Sequence, residues 1–464
     1  MFQTFRLFLL VAISLGILSC SQVFHNTPMN THPKLVVGVL LPLSGKNANF
    51  GNEMLRAINL AYNDAKNNNV VLKIYDTKAD ETVAQQVAKQ ALKDGVSIII
   101  GPLFSNTTRS VVEVTSNHGI PVITFSNDSE SILGGKNAYN ISPLPASDVE
   151  NMIHFAIKEK QSKNFVILAP ENKYGDIVVA TAEKSLSMYG AKLVRTIRYP
   201  ANSPILTPFV EHLIPTKELA KYNKIKTQLK NKVIVLDENK NPLLSPPAPV
   251  LDFDTLLIGD FGKRLILLAN HFPSIDLNYK NISILGNSNW NNPEIITETI
   301  LQGAYFPSFK DVTKTDVGKN YERLYETKFS NIDATAYESL LLVLSCIYPD
   351  EDDNVVLNLT KLRISQYESK SALLGNLRMS VHGSSQYSML INQIHKKTAV
   401  EVYNNANVYQ EVYQITSIDK DDEINMMPDV DEPMQLDEPS ETPSEEGIEN
   451  TEVEPNIPSP QDVE

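Results

Sequence analysis

Cysteine is almost absent from this chain, whose 464 residues contain only Cys20 and Cys346. A scaffold held together by several disulfides is therefore excluded. Cys346 lies within the apolar run 340–347, a setting that predicts a buried thiol with a packing role.

Motifs that carry catalytic chemistry are also lacking. The sequence has no Gly-x-Ser-x-Gly elbow, no Walker loop, no His-x-x-x-His and no Cys-x-x-Cys, and its eight histidines are scattered singly. We therefore expect no enzyme activity, no cofactor and no metal site. Lysine and arginine form no cluster with interleaved aromatic residues, so no nucleic-acid partner is expected either.

Negative charge is concentrated at the C-terminal end. Residues 419–464 hold 17 acidic residues against one lysine, a net charge of −16, which leaves about +2 for the rest of a chain whose total is −14. This segment has no aromatic residue, so its composition predicts a disordered acidic tail. The tail is interpreted as a solubilising brush or as an arm that binds calcium or basic partners.

The N-terminal segment carries a basic residue, Arg6, followed by an apolar run over 7–18 and by Ser19-Cys20. This pattern is typical of a secretory signal and is too short to span a bilayer as a helix. It resembles the lipobox of bacterial lipoproteins, which implies cleavage before Cys20 and lipidation of that cysteine. An ordinary signal peptide is the alternative. Ser21, in place of aspartate, resembles outer-membrane sorting in Gram-negative bacteria.

Buried strands and amphipathic helices alternate along the body of the chain. Apolar, β-branched runs at 35–41, 70–75, 97–100 and 121–124 are separated by helical patterns at a spacing near 30 residues. A second such series begins after Asn140. The sequence therefore predicts an α/β protein of two lobes, each a doubly wound parallel sheet with helices on both faces.

The expected organisation follows from these patterns. Residues 1–19 are a signal peptide and 20–33 a tether. Lobe one comprises 34–140 and 305–365, and lobe two comprises 141–304 and 366–418 with a lysine- and proline-rich insertion at 216–252. Residues 419–464 are the tail.

Ordered landmarks carry a family resemblance over roughly 34–410. The segments 37–45, 100–105, 120–124 and 173–175 resemble the type I periplasmic binding proteins, the leucine/isoleucine/valine-binding group. The segments 101–105, 260–262, 285–293 and 303–307 are similar to the lipoproteins called penicillin-binding protein activators, which share this two-lobed fold. The resemblance implies a ligand cleft between the lobes and crossover strands joining them.

The resemblance also implies which residues line the cleft. In lobe one, Ser105 matches a hydroxyl that holds a ligand carboxylate, and Ser126 and Asn127 match a further polar contact. Asp128 stands where the amino-acid receptors carry threonine, and its carboxylate would repel that of a ligand.

Aromatic residues complete the expected site. Tyr174 and Phe261 match aromatic walls from lobe two, and Phe50 is a plausible lid from lobe one. The alternative is purely structural: the serines cap helices and Tyr174 packs the hinge. The acids that meet a ligand ammonium in the receptors are missing near Ser288 and are absent or shifted to Asp148 after Asn140.

Two functional classes follow from the resemblance. One is a non-enzymatic regulatory lipoprotein, anchored to the membrane through Cys20 and supporting a peptidoglycan synthase. The other is a solute receptor that serves an ABC permease and binds a branched-chain amino acid or a similar small polar molecule.

Overall fold

The computed structural model describes residues 35–409 except 68, 129, 131, 133–136, 278–280, 349–354 and 381. The expected signal, Cys20, the tether and the acidic tail lie outside the described residues. Among those described, no helix is long and apolar enough to cross a membrane.

The first sheet is parallel and contains five strands. They are β1 (Leu35–Leu41), β2 (Val70–Asp76), β3 (Ile98–Ile100), β4 (Val122–Thr124) and β5 (Ala138–Asn140). Their spatial order is β2-β1-β3-β4-β5. Strand β2 therefore lies on one side of β1, and β3, β4 and β5 are added in sequence on the other side. This sheet forms lobe one and confirms the predicted doubly wound arrangement.

The second sheet contains seven strands and forms lobe two. Its parallel part is made of β6 (Asn164–Glu171), β7 (Lys192–Pro200), β8 (Thr255–Ile258), β9 (Ser283–Leu285) and β10 (Tyr305–Ser308). A small antiparallel sheet follows, with β11 (Glu368–Ser369), β12 (Leu377–Met379) and β13 (Ser385–Tyr387). The antiparallel hairpin of β14 (Leu390–His395) and β15 (Thr398–Asn404) then extends the seven-stranded sheet beyond β10.

Helices connect these strands. They are α1 (Ala48–Ala65), α2 (Glu81–Lys93), α3 (Ser105–Thr115), α4 (Pro145–Lys158), α5 (Lys173–Met188), α6 (Thr207–Glu211), α7 (Thr216–Lys230), α8 (Gly262–Ala269), α9 (Pro293–Ile296), α10 (Asp316–Tyr325), α11 (Asn331–Cys346) and α12 (Leu357–Ser365). Short 3-10 turns lie at Ser116–His118, Phe272–Ile275, Ser288–Trp290, Thr299–Leu301 and Val312–Lys314.

Each sheet buries both faces. Val37 and Val39 of β1 pack with α1 and α11, whereas Leu40 packs on the other face with α2 and α3. In lobe two, Val166 faces α8 and Phe165 faces α4 and α5. Side chains alternate between faces along a strand, so only a strand that is apolar at nearly every position can be covered on both sides. Cys346 is a free, buried thiol in the lobe-one core.

The boundaries of the lobes differ from those expected from the sequence at two places where the chain crosses between the lobes. Strand β10 starts at 305, where lobe one was expected to resume, yet it pairs with β9 and β14 in lobe two. Residues from 366 to 387 were expected in lobe two, yet Leu377 and Tyr387 pack in the lobe-one core. An apolar strand pattern does not state which sheet it joins. We propose lobe one as 35–143 and 309–388, and lobe two as 144–308 and 389–409.

A buried polar network holds the crossings between the lobes. Tyr387 donates from its hydroxyl to the Ile141 carbonyl at 2.9 Å, and the Ser385 hydroxyl donates to the Ser142 carbonyl at 2.7 Å. Asn151 of α4 accepts from the Met389 N–H at 3.0 Å and donates to the Tyr387 carbonyl at 2.9 Å. These bonds satisfy backbone groups that the crossings would otherwise leave unpaired.

Candidate functional site

Two serines meet at the lobe-one side of the cleft. Ser105 is the first residue of α3, just after β3, and Ser126 follows β4; parallel neighbours end at the same edge of a sheet. Their hydroxyl oxygens are 2.9 Å apart, and Ser126 is buried. The Asp128 N–H also donates to the Ser126 hydroxyl at 3.1 Å, and Asn140 donates to the Ser126 carbonyl. The two expected serines are therefore together, and each contacts the other.

An ion triad joins the two lobes beside the serines. Lys173 begins α5 in lobe two, and its Nζ lies 3.0 Å from Asp128 Oδ1 and 3.1 Å from Glu130 Oε2 in lobe one. The hydrogen bonds to Asp128 and then to Glu130 raise the pKa of Lys173. Because Lys173 is mostly exposed, solvent and salt screen both pairs, so they contribute little to stability. Asp128 thus has a cation across the cleft, a partner that sequence reasoning did not identify.

Aromatic side chains from two strand ends meet on the lobe-two side. Tyr174 follows β6 and Phe261 follows β8, and their rings pack edge to face with centroids 5.4 Å apart. Burial, and then the charges of Asp148 and Asp260, raise the pKa of Tyr174. The two expected aromatic residues therefore form one neutral wall.

Asp148 pairs with Ser288, although 140 residues separate them. The buried Asp148 carboxylate accepts from the Ser288 N–H at 2.9 Å and from its hydroxyl at 2.8 Å. Burial raises the pKa of Asp148 to about 6, an effect that these two hydrogen bonds oppose. In the sequence analysis, the acid shifted to Asp148 and the acid missing near Ser288 were two separate differences from the amino-acid receptors. The structure brings both into one contact within lobe two.

Asp260 is the carboxylate that sequence reasoning missed. It accepts from the Tyr199 hydroxyl at 2.6 Å and from the Phe261 N–H at 2.8 Å, and Arg264 Nε lies 3.1 Å away. Its own carbonyl accepts from the Trp290 indole N–H at 2.8 Å. A possible signal was the position of Asp260 directly after the apolar strand β8, where functional side chains of parallel sheets lie.

An apolar pocket of about 320 Å³ opens beside Ser105 in lobe one. Met54, Phe104, Phe125 and Ile332 form apolar parts of its wall, and Ser105 and Asn127 are among its polar members. Phe50 lies one helical turn before Met54 and is half exposed, but it does not line the pocket, and neither do Asp128, Tyr174 and Phe261. Among the described residues, no group of three or more His, Cys, Asp or Glu side chains is arranged to hold a metal ion.

Comparison with known proteins identifies this architecture. A family model described as periplasmic binding protein matches residues 34–216. A structure from Rhodospirillum rubrum, described as a branched-chain amino acid ABC transporter, superposes with a TM-score of 0.60 at 13% identity, covering 80% of this chain and 100% of that one. The fold is that of the type I periplasmic binding proteins.

An activator domain of known structure shares this fold. The C-domain of LpoA from Haemophilus influenzae, described as a regulator of PBP1A, superposes with a TM-score of 0.53 at 16% identity, covering 79% of this chain and 100% of that one. The penicillin-binding protein activator LpoA of Pantoea ananatis is 28% identical over 138 residues, 30% of this chain and 19% of that protein. The match thus spans about a fifth of the activator's length.

A further relative covers more of this chain. An uncharacterised protein of Rickettsia prowazekii is 24% identical over 279 residues, which are 59% of this chain and 72% of that protein. The characterised proteins in these comparisons are described as binding proteins, transporters or regulators.

Substitution of Asp148 by asparagine tests the buried contact with Ser288. The native state holds the Asp148 proton up to about pH 6, whereas the unfolded chain releases it near its usual pKa of 3.8. Native stability therefore falls as pH rises through this interval. Relative to the native protein, Asp148→Asn should gain up to about 3 kcal/mol in free energy of unfolding between pH 4 and 6.

Urea denaturation across this pH range measures the effect. Asp148→Ala is the control, because it removes the acceptor for Ser288 and should be destabilised even at pH 4. Parallel stability curves for the native protein and Asp148→Asn would contradict the raised pKa.

Proposed function

We propose that this protein is a non-enzymatic regulatory lipoprotein of the periplasm that supports a peptidoglycan synthase. The observation that carries the proposal is that the polar side chains of the cleft are already hydrogen-bonded or ion-paired within the protein. Its polar groups pair with one another: Ser105 with Ser126, Asp128 with Lys173, and Asp148 with Ser288. A receptor for a zwitterionic amino acid needs such groups to be available to the ligand.

An α-amino acid fits this cleft poorly. Its carboxylate, held at Ser105 and Ser126, would approach Asp128, a like charge. Its ammonium would need an anion, and the buried Asp148 already accepts two hydrogen bonds from Ser288. A buried charge without a partner is costly, so replacing these internal contacts by ligand contacts offers little gain.

The comparisons support the regulatory role. The P. ananatis activator is 28% identical over 30% of this chain, and the whole of the H. influenzae activator C-domain is covered by this chain. The lipobox-like Ser19-Cys20 supports anchoring by lipid, and Ser21 favours the outer membrane. An outer-membrane lipoprotein faces the cell wall, where such a synthase works.

The alternative is a solute receptor of an ABC importer. It is favoured by the superposition on the R. rubrum protein and by the apolar pocket beside Ser105, which offers space for a small side chain. A ligand that binds only the folded state raises its stability, by about 2.7 kcal/mol at a hundred times its dissociation constant.

A thermal-shift screen separates the two roles. We expect leucine, isoleucine and valine at millimolar concentration to leave the melting temperature unchanged, because Asp128 opposes the carboxylate and the ammonium lacks a partner. Ser105→Ala is the matched control. A clear shift with leucine that the mutant loses would favour the receptor.

Affinity capture from native membranes tests the regulatory role itself. The tagged full chain, crosslinked in cells before solubilisation, should retain a peptidoglycan synthase. Recovery of a permease in place of a synthase would contradict the proposal.

A further inference from the structure

Helix α7 of the insertion presents a strongly basic surface. Six exposed lysines lie on this helix and directly after it: Lys217, Lys221, Lys224, Lys226, Lys230 and Lys232. Between 216 and 244 these six lysines and Lys240 are opposed by Glu218, Asp237 and Glu238, so the segment carries a net charge of +4 (seven minus three). The rest of the body is near neutral by comparison, so this charge is local.

The helix is attached to lobe two by its opposite face. Tyr222 is buried and donates from its hydroxyl to Asp276 at 2.6 Å, and Lys226 donates to the Ser274 carbonyl at 3.1 Å. Lys217, Lys221 and Lys224 recur at intervals of four and three residues and so share one face. Because Tyr222 fixes the inner face, this lysine stripe is directed to solvent.

A hairpin with exposed apolar side chains continues directly from the helix. The Val233 N–H donates to the Gln228 carbonyl at 2.9 Å, so the chain turns without a linker. Asp237 and Asn241 then close the hairpin, with a backbone bond of 2.8 Å. Its apolar side chains include Leu244, 98% exposed, and Ile234, 76% exposed. Val233 and Leu236 are exposed as well.

We infer that this basic–apolar surface, formed by Lys217, Lys221, Lys224 and the hairpin 233–244, docks on an anionic phospholipid surface. Apolar side chains that project from a narrow hairpin can enter the interfacial region of a bilayer, while neighbouring lysines contact the headgroups. The charge complementarity is direct, since anionic lipids attract clustered lysines. A protein partner would instead need a broad complementary patch of roughly 800 Å² on each side.

This inference does not depend on the regulatory role or on lipidation of Cys20. Docking through α7 would set the orientation of the body at the membrane, whereas an acyl chain would set only its distance. Either role proposed above is compatible with it.

A dye at the hairpin reports docking directly. The full chain carries Cys20→Ala and Leu244→Cys, and a polarity-sensitive fluorophore is attached to the new thiol; Cys346 is buried. We expect a blue shift with vesicles of phosphatidylcholine plus phosphatidylglycerol, none with phosphatidylcholine alone, and loss of the shift at high salt.

Charge variants identify the surface. Lys217→Glu, Lys221→Glu and Lys224→Glu together should weaken vesicle binding by at least about tenfold. The matched control, Lys89→Glu, Lys93→Glu and Lys319→Glu, changes three exposed lysines of lobe one and should alter binding less than about twofold. Absence of any vesicle-dependent shift, or equal losses in both triples, would overturn the inference. A shift with poly-glutamate but not with vesicles would also overturn it, in favour of an acidic protein partner.

Discussion

Replacement of Cys20 by alanine should release the protein from the membrane fraction. The reason is that one acyl chain binds weakly whereas two or more anchor a protein stably, and the lipobox-like sequence offers no other lipidation site. The native protein should incorporate labelled palmitate and stay with membranes in high salt. The variant should incorporate none.

Salt separates this anchor from docking through the lysine-rich surface. Any residual membrane association of Cys20→Ala should be removed by high salt, because it would depend on screened charges. Unlabelled protein that still pellets with membranes in high salt would contradict lipid anchoring. Lys217→Glu, Lys221→Glu and Lys224→Glu together should leave palmitate labelling unchanged.

Asn151→Ala should produce the largest loss of stability. Asn151 is fully buried, and its side-chain oxygen accepts from the Met389 N–H at 3.0 Å and from Asn405 at 2.9 Å. Its amide group donates to the carbonyls of Ser147 and Tyr387. Alanine leaves several of these backbone groups and the Asn405 amide unpaired where the buried chain crosses between the lobes. This should cost about 3 kcal/mol or more in free energy of unfolding.

Denaturation in urea, monitored by circular dichroism, measures this loss. Asn223→Ala on the exposed face of α7 is the matched control and should stay within about 0.5 kcal/mol of the native protein. A loss for Asn151→Ala no larger than that of Asn223→Ala would show that the crossing does not depend on this side chain.

Local sequence patterns were sufficient for the strands and helices that build each lobe. Strand β1 is apolar at nearly every position, and this pattern indicates burial on both faces. Helix α7, Thr216–Lys230, lies within the segment 216–252 that was expected to be an insertion. Strand β10 was expected in lobe one and pairs in lobe two, because an isolated strand pattern contains no information about its partner strand. Strands β11 to β13 are too short to give a periodic signal.

In the site, too, contacts that follow from sheet topology could be predicted from the sequence, whereas contacts between distant segments could not. The positions of Ser105 and Ser126 at neighbouring strand ends follow from sheet topology, and they do lie in contact. The contact of Asp148 with Ser288 and that of Asp128 with Lys173 join residues far apart in sequence. Such pairs depend on how the lobes and their loops pack, which no local spacing specifies.

The central claim is that this protein acts on a peptidoglycan synthase and does not deliver a solute. The most direct measurement is the rate of glycan polymerisation and crosslinking by the purified synthase recovered by capture, with and without the full chain in the same detergent. The proposal predicts a rise in rate that saturates with added protein and is unaffected by leucine. An unchanged rate, together with saturable leucine binding measured by calorimetry, would contradict it.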